Sequence, residues 1–265
     1  MSAEGKSIVP DSVDNAIKNA TDSPSLEIGK TLGDIFYLVF GSVHLAADKR
    51  KIKYAIELKK YEQELNRAIN NIPEEKACEP KLQTVGVALE KSKFVIEEEA
   101  IREMFVRLIS KSMNSDYTDL VHPSFPEVVS QMTPFDARVL AALGRASNSE
   151  PIVELRIGEN SGYNTYKANV MLLDGELTNL VLVDKCSASI DYLARVGLVR
   201  ASYIEFAADN SAYEAFYKSV AFEEFKHMVD LINKDNPSLC LHPSIGRGSA
   251  KITTLGRRFL DICLK

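Results

Sequence analysis

"DLVHPSFPEVVSQMTPFDARVLAAL", Asp119 to Leu143, decides how the rest of the chain is read, because it holds two helix starts in quick succession. Ser124 and Glu127 have the spacing of a capping box, in which the serine accepts from an early N–H and the glutamate reaches back. Thr133-Pro134-Phe135-Asp136 repeats the device, with proline at the first helical position and an acid in the first turn. The tripeptide His122-Pro123-Ser124 returns at His242-Pro243-Ser244. The first copy is predicted to lie just before a short helix. The second is followed by "IGRGSA", which reads as loop, so the shared letters do not mark an internal repeat.

Upstream of this stretch the pattern is helical. Residues 1–25 are polar and contain no apolar block of the kind a secretory leader needs, so they read as a flexible polar tail. Ser23-Pro24 predicts a helix start, and the helix carries the apolar run "IFYLVFGSVHLAA", Ile35 to Ala47, into Lys49, Arg50, Lys51 and Lys53. Thirteen helical residues span roughly 20 Å against a hydrocarbon core of about 30 Å, so the run is short for a transmembrane helix. Tyr54, Leu58, Tyr61, Leu65, Ala68 and Ile72 then form an a/d-type seam, closed by Asn70-Asn71-Ile72-Pro73. A second helical block is predicted over Leu82 to Met113. Ile101, Met104, Phe105, Leu108 and Ile109 draw one apolar face on it, and Glu97, Glu98 and Glu99 stand at the positive end of its latter half.

Downstream the texture changes. "IVELRIGENSGYNTYKANVMLLDGEL" alternates short β-like runs with glycine turns. A helix is expected around Ser187 to Val196, a strand over "GLVRASYIEF", and one amphipathic helix from Tyr213 to Asn233. The last residues read as a strand, a turn and a short helix. The expected fold is mainly α with a small β component. Its organisation is a tail over 1–25, a helical region over 26–130, and an α+β region over 131–265 with an inserted helical segment around 201–250.

The chemistry-bearing residues do not assemble into a reaction. Histidines 44, 122, 227 and 242 form no H-x-x-x-H pair, and neither a P-loop nor a G-x-S-x-G elbow is present. Gly246-Arg247-Gly248-Ser249 could turn amides toward an anion, or be a plain loop. The four cysteines are far apart, which fits free thiols in a reducing compartment. Net charge is -5, which gives no general affinity for nucleic acid. The sequence predicts no catalytic residue, no metal site and no cofactor.

"NIPEEKACEPKLQTVGVALE", "IREMFVRLISKSMN" and "VHPSFPEVVSQMTPFDARVL", with "IDYLARVGLVR" and "ITTLGRRFLDIC", resemble the bacterial Abi-alpha (abortive infection alpha) family. That resemblance implies a link to phage exclusion and implies no reaction, cofactor or active site. "MTPFDARVLAAL", "YLARVGLVR" and "ITTLGRRFL" are also similar to a winged-helix layout: a first helix, a third helix leading into a strand, and the helix after the wing. The third helix sets Lys185 and Arg195 against Asp184 and Asp191, and the basic surface lies instead at Arg247, Lys251, Arg257 and Arg258. The expectation is a non-enzymatic phage-defence protein of the bacterial cytoplasm, in peripheral contact with the inner membrane through Lys49, Arg50, Lys51 and Lys53, or sensing a protein partner or phage trigger. A homo-oligomer is compatible with it. Nucleic-acid or regulatory binding through the winged-helix-like part is the alternative. For the run 35–47 two readings stay open, burial in the chain's own bundle or a membrane face.

Overall fold

A computed structural model describes residues 24–41, 49–146, 149–159 and 162–265; within the first two helices, side chains are described from Gly29 and from Lys53 onward. The predicted tail lies outside the described residues up to residue 23. The chain is mainly helical with one small antiparallel sheet, and it divides into two compact units, Met1–Pro134 with Asp261–Lys265, and Phe135–Leu260.

The first unit is built from helices that each bury one stripe. Helix α1 (Pro24–Phe40) starts at the predicted proline and buries Leu32, Ile35, Val39 and Phe40, a face of i, i+3, i+7, i+8 spacing. Helix α2 (Lys49–Asn70) turns Tyr61 and Leu65 fully inward, and Phe36 and Phe40 of α1 bring their rings to 6.2 and 6.3 Å from Tyr61. The predicted block from Leu82 to Met113 is two helices, α3 (Leu82–Ser92) and α4 (Glu99–Ser112). The break carries no glycine or proline. It forms because the chain turns through Lys93–Glu98 to bury Ile96, and because Ser92 Oγ donates back to the carbonyl of Leu89. On α4 the predicted face holds: Ile101, Met104, Phe105, Leu108 and Ile109 are all inaccessible to solvent or nearly so.

The short helix α5 (Phe125–Gln131) follows the first His-Pro-Ser, but its capping box does not form. Ser124 has helical backbone angles (φ -77, ψ -13), which turn its hydroxyl away from the early N–H groups of the helix. The hydroxyl meets His122 Nδ1 at 2.7 Å instead, and the same nitrogen accepts from the backbone N–H of Ser124. Glu127 is drawn off to Lys91 and Gln131. The histidine, rather than the serine, fixes this turn.

In the second unit, α6 (Pro134–Arg145) leads into the strands β1 (Glu150–Glu159) and β2 (Gly162–Met171), an antiparallel hairpin. Pro134 opens α6 as the sequence predicts, and Asp136 in the first turn is buried. Helix α7 (Leu180–Arg195) is a full turn and more longer than predicted, and β3 (Val199–Ser202) is only four residues. The predicted helix from Tyr213 to Asn233 is interrupted. Helix α8 (Glu214–Tyr217) stops, and Ser219 opens α9 (Val220–Asp235) by accepting from the N–H of Phe222. Strand β4 (His242–Ile252) takes in the whole of "IGRGSA", which is therefore strand and not loop. Helix α10 (Thr254–Phe259) follows and continues as a π-type turn. The sheet order is β2-β1-β4-β3, and its inner face packs Val153, Leu155 and Val170 against Tyr213, Phe216, Phe222 and Phe225.

The caps give a direct test of this geometry. At α7 the Asn179 side chain accepts from the N–H of Leu182 at 2.8 Å, so Asn179→Ala should cost about 1 kcal/mol. Ser124→Ala removes no cap and should cost well under that. Denaturation midpoints of the two variants should fall in this order.

Candidate functional site

Of the residues expected to face a membrane, Lys49, Arg50 and Lys51 occupy the first turn of α2, and their side chains lie outside the described residues. Lys53 pairs with Glu97 at 2.6 Å, and the hydrogen bond and charge of Glu97 raise its pKa. The stretch that would carry one apolar helix into this cluster lies partly outside the described residues. Helix α1 is described to Phe40, Gly41 donates its N–H to the carbonyl of Tyr37, and the basic cluster opens α2. Residues 42–48, with His44 and the rest of the apolar run, lie outside the described residues. What α1 leaves uncovered is specific. Leu38 is 77% exposed and Tyr37 54% exposed, and with Asp34, Ile35 and Gly41 they edge a shallow apolar depression.

The second predicted group is engaged with its own chain. Arg247 bonds to Asn210 and lies 5.8 Å from the centre of the Tyr213 ring, and Lys251 pairs with Glu205. Arg257 donates to the carbonyl of Gly144 at 3.0 Å, while Arg258 is exposed. Arg247 and Lys251 share the inner face of β4 with Ser249, since side chains alternate along a strand. The glycines between them face the other way. There Arg156 of β1 lays its guanidinium over Gly246, and Tyr203 lays its ring over Gly248, where a Cβ would sit 2.6 Å from that ring. The Gly-Arg-Gly-Ser motif thus lies on a strand, where its glycines allow close packing.

A half-buried polar network covers that outer face. Arg156 Nε donates to Glu154 at 2.7 Å, and its guanidinium stacks 4.0 Å from the centre of the Tyr163 ring. Tyr203 donates to the Asn169 side chain at 3.0 Å and accepts from the Asn169 N–H at 2.6 Å, and Asn169 donates to Asp191. Asn169 has φ 55 at the bulge of the hairpin, a left-handed conformation asparagine tolerates well. Burial pushes the Tyr203 phenol up to about 12, so it stays a neutral hydrogen-bonding group. Each of these side chains has a partner, so the network holds this face of the sheet together.

One serine hydroxyl does meet an imidazole, Ser124 beside His122, in an exposed turn. Burial pushes the Cys186 thiol up to about 11 and Cys263 higher still, so neither supplies a thiolate near neutral pH. His122 is spent on its turn, and among the described residues no group of three His, Cys, Asp or Glu side chains could hold a metal ion. Among the described residues, no helix is long and apolar enough to cross a membrane.

The residue that sequence reasoning missed is Arg102. It sits beside the apolar face of α4, is 3% exposed, and spans Glu57, Glu64 and the carbonyl of Ile96. The signal was available: Glu57 and Glu64 are seven residues apart and flank the a/d seam of α2.

The family described as abortive infection alpha matches residues 53–263. No curated protein matches the sequence. A solved structure of an uncharacterized protein from the hydrocarbon-degrading marine bacterium Alcanivorax borkumensis SK2 is similar at 19% identity, with a TM-score of 0.31, over 57% of this chain and 96% of its own.

Proposed function

Since the chain belongs to the abortive infection alpha family, we propose that it is a phage-defence protein without catalytic chemistry of its own, which works by seating its first helix on an anionic membrane surface. The observation that carries this reading is the division of α1: one face is buried in the bundle, and Tyr37 and Leu38 stand out on the other. Single exposed apolar residues are ordinary, but these two are adjacent, share a depression with Ile35 and Gly41, and precede a helix that opens on Lys49, Arg50 and Lys51. Burying a leucine side chain contributes roughly 1.5–3 kcal/mol, and a basic residue near anionic headgroups about 1 kcal/mol more. Tyrosine suits the boundary, with its ring in the acyl region and its hydroxyl in water.

The nucleic-acid alternative draws less support. Phosphates would have to displace Asn210, Glu205 and the Gly144 carbonyl before reaching three of the four basic residues proposed for them.

Flotation of the purified full chain with vesicles tests the reading. Wild type should float with anionic vesicles and stay behind with zwitterionic ones. Leu38→Glu, and separately a Lys49/Arg50/Lys51/Lys53→Glu variant, should lose anionic flotation and phage protection together while keeping the wild-type unfolding transition. If wild type does not float with either lipid, the membrane reading fails.

A further inference from the structure

The sheet-containing unit holds a cavity of about 310 Å³, at the lower end of the range that takes small ligands. Two small side chains, Ala142 on α6 and Ala212 before α8, are among its lining residues. Met171 and Phe216 form its apolar wall.

Its polar groups are arranged unequally. Asp174 (φ 55) and Gly175 (φ 84) form a tight turn closed by two backbone hydrogen bonds between Leu173 and Glu176. That turn aims the Asp174 carboxylate at two guanidiniums, with Arg138 at 3.1 Å on one oxygen and Arg145 at 3.0 Å on the other. Each guanidinium gives Asp174 a single bond, so both keep N–H donors for an anion at this end of the cavity. Glu150, which lines the same cavity, is half-buried, and its carboxylate accepts no hydrogen bond among the described residues. Burial raises its pKa against the lowering charge of Arg145, as expected for a carboxylate short of donors.

We propose that this cavity binds a guanine mononucleotide, with the base against the Met171–Phe216 wall, its N1–H and amino group on Glu150, and its phosphate on Arg138 and Arg145. A carboxylate accepts through two oxygens, and guanine offers two adjacent donors on one neutral edge. Adenine offers one donor on the matching edge. Amidines and guanidiniums also pair with a carboxylate, but they bring no anion to Arg138 and Arg145. An apolar cavity alone would suit many rings. The unfilled carboxylate and the doubly used aspartate select among them. This inference rests on the cavity and is independent of the membrane reading.

Calorimetric titration of the full chain with GMP, AMP, guanosine and inorganic phosphate tests it. GMP should bind, AMP about tenfold more weakly, and guanosine and phosphate each more weakly than GMP. Glu150→Gln should erase the preference for GMP over AMP. Arg145→Ala should bring the affinity for GMP down toward that for guanosine. Ala212→Leu should fill the cavity and abolish binding. Should Ala212→Leu unfold the unit, Glu150→Gln still decides. Absence of GMP binding to wild type, or a preference for GMP that survives Glu150→Gln, overturns the proposal.

Discussion

Arg102→Ala is expected to destabilise the helical unit by about 3–5 kcal/mol, a large fraction of the stability of a domain this size. The guanidinium gives Nε and Nη2 to Glu64 at 2.9 and 3.1 Å, and Nη1 to Glu57 at 2.8 Å and to the Ile96 carbonyl at 2.9 Å. Truncation strands the Ile96 carbonyl at the α3–α4 turn and leaves two carboxylates, two turns apart on one face of α2, without their shared cation. Glu64 can recover water, since its side chain is 36% exposed, so the loss belongs nearer the lower bound; Glu57, at 13%, recovers little. Arg102→Lys keeps the charge but cannot reach both glutamates with one ammonium, and should lie between wild type and alanine. The pH course gives a second check. Glu57 is held below the usual carboxylate range by a hydrogen bond from Lys60 and by the charges of Lys60, Arg102 and Lys53. A lowered folded pKa means the stabilisation is complete above the unfolded value, about 4.3, and is lost as pH falls through the folded one. In Arg102→Ala one of those charges is gone, so acid should cost the variant less than it costs wild type. Urea titrations at neutral and acid pH measure both quantities, and a loss under about 1 kcal/mol at neutral pH would refute the bridging role.

The parts of this fold that sequence made legible are those decided within a few residues. The stripe Ile101–Ile109 is buried as its spacing predicts, Pro134 opens α6, and the glycine-punctuated run after Glu150 is a hairpin. What was illegible depends on distant partners. The break at Lys93–Glu98 exists because Ile96 finds a core and Arg102 finds its carbonyl, and neither leaves a mark within that hexapeptide. "IGRGSA" looks like loop because its glycines are counted against a strand, yet β1 pairs with it over its full length, and Arg156 and Tyr203 need those glycines bare. Ser124 misled for the opposite reason: the capping-box letters are present, but a neighbouring histidine competes for the hydroxyl. The candidate surfaces follow the same division. Exposure of Leu38 depends on which face of α1 meets the bundle, and the cavity by Glu150 requires α6, the hairpin and the segment before α8 together. No local pattern encodes either.

Gly256→Ala is expected to destabilise the sheet-containing unit by about 3 kcal/mol, although alanine is the better helix former. Thr253 laces the start of α10 onto the turn after α7. Its N–H donates to the Leu198 carbonyl at 2.9 Å, and its hydroxyl donates to the Gly197 carbonyl at 2.6 Å while accepting from the Gly256 N–H at 2.9 Å. These bonds draw the helix so close that a Cβ at 256 would fall well inside van der Waals contact distance of the Leu198 oxygen and 2.8 Å from Ile252 Cγ1. The obstacle is backbone, and Leu198 is itself fully buried, so the strain relaxes only if α10 lifts and the Thr253 bonds lengthen. Gly144→Ala meets the side-chain tip of Leu260, which can rotate away, and should cost less. Gly86→Ala is the control of opposite sign. Its nearest neighbour is Leu82 Cγ at an ordinary 3.6 Å, and alanine there should stabilise α3 by about 0.5–1 kcal/mol by restricting the unfolded chain. One substitution at three helical sites should therefore give a large loss, a smaller loss and a gain. Equal midpoints for Gly256→Ala and wild type would mean that α10 does not approach Leu198 this closely.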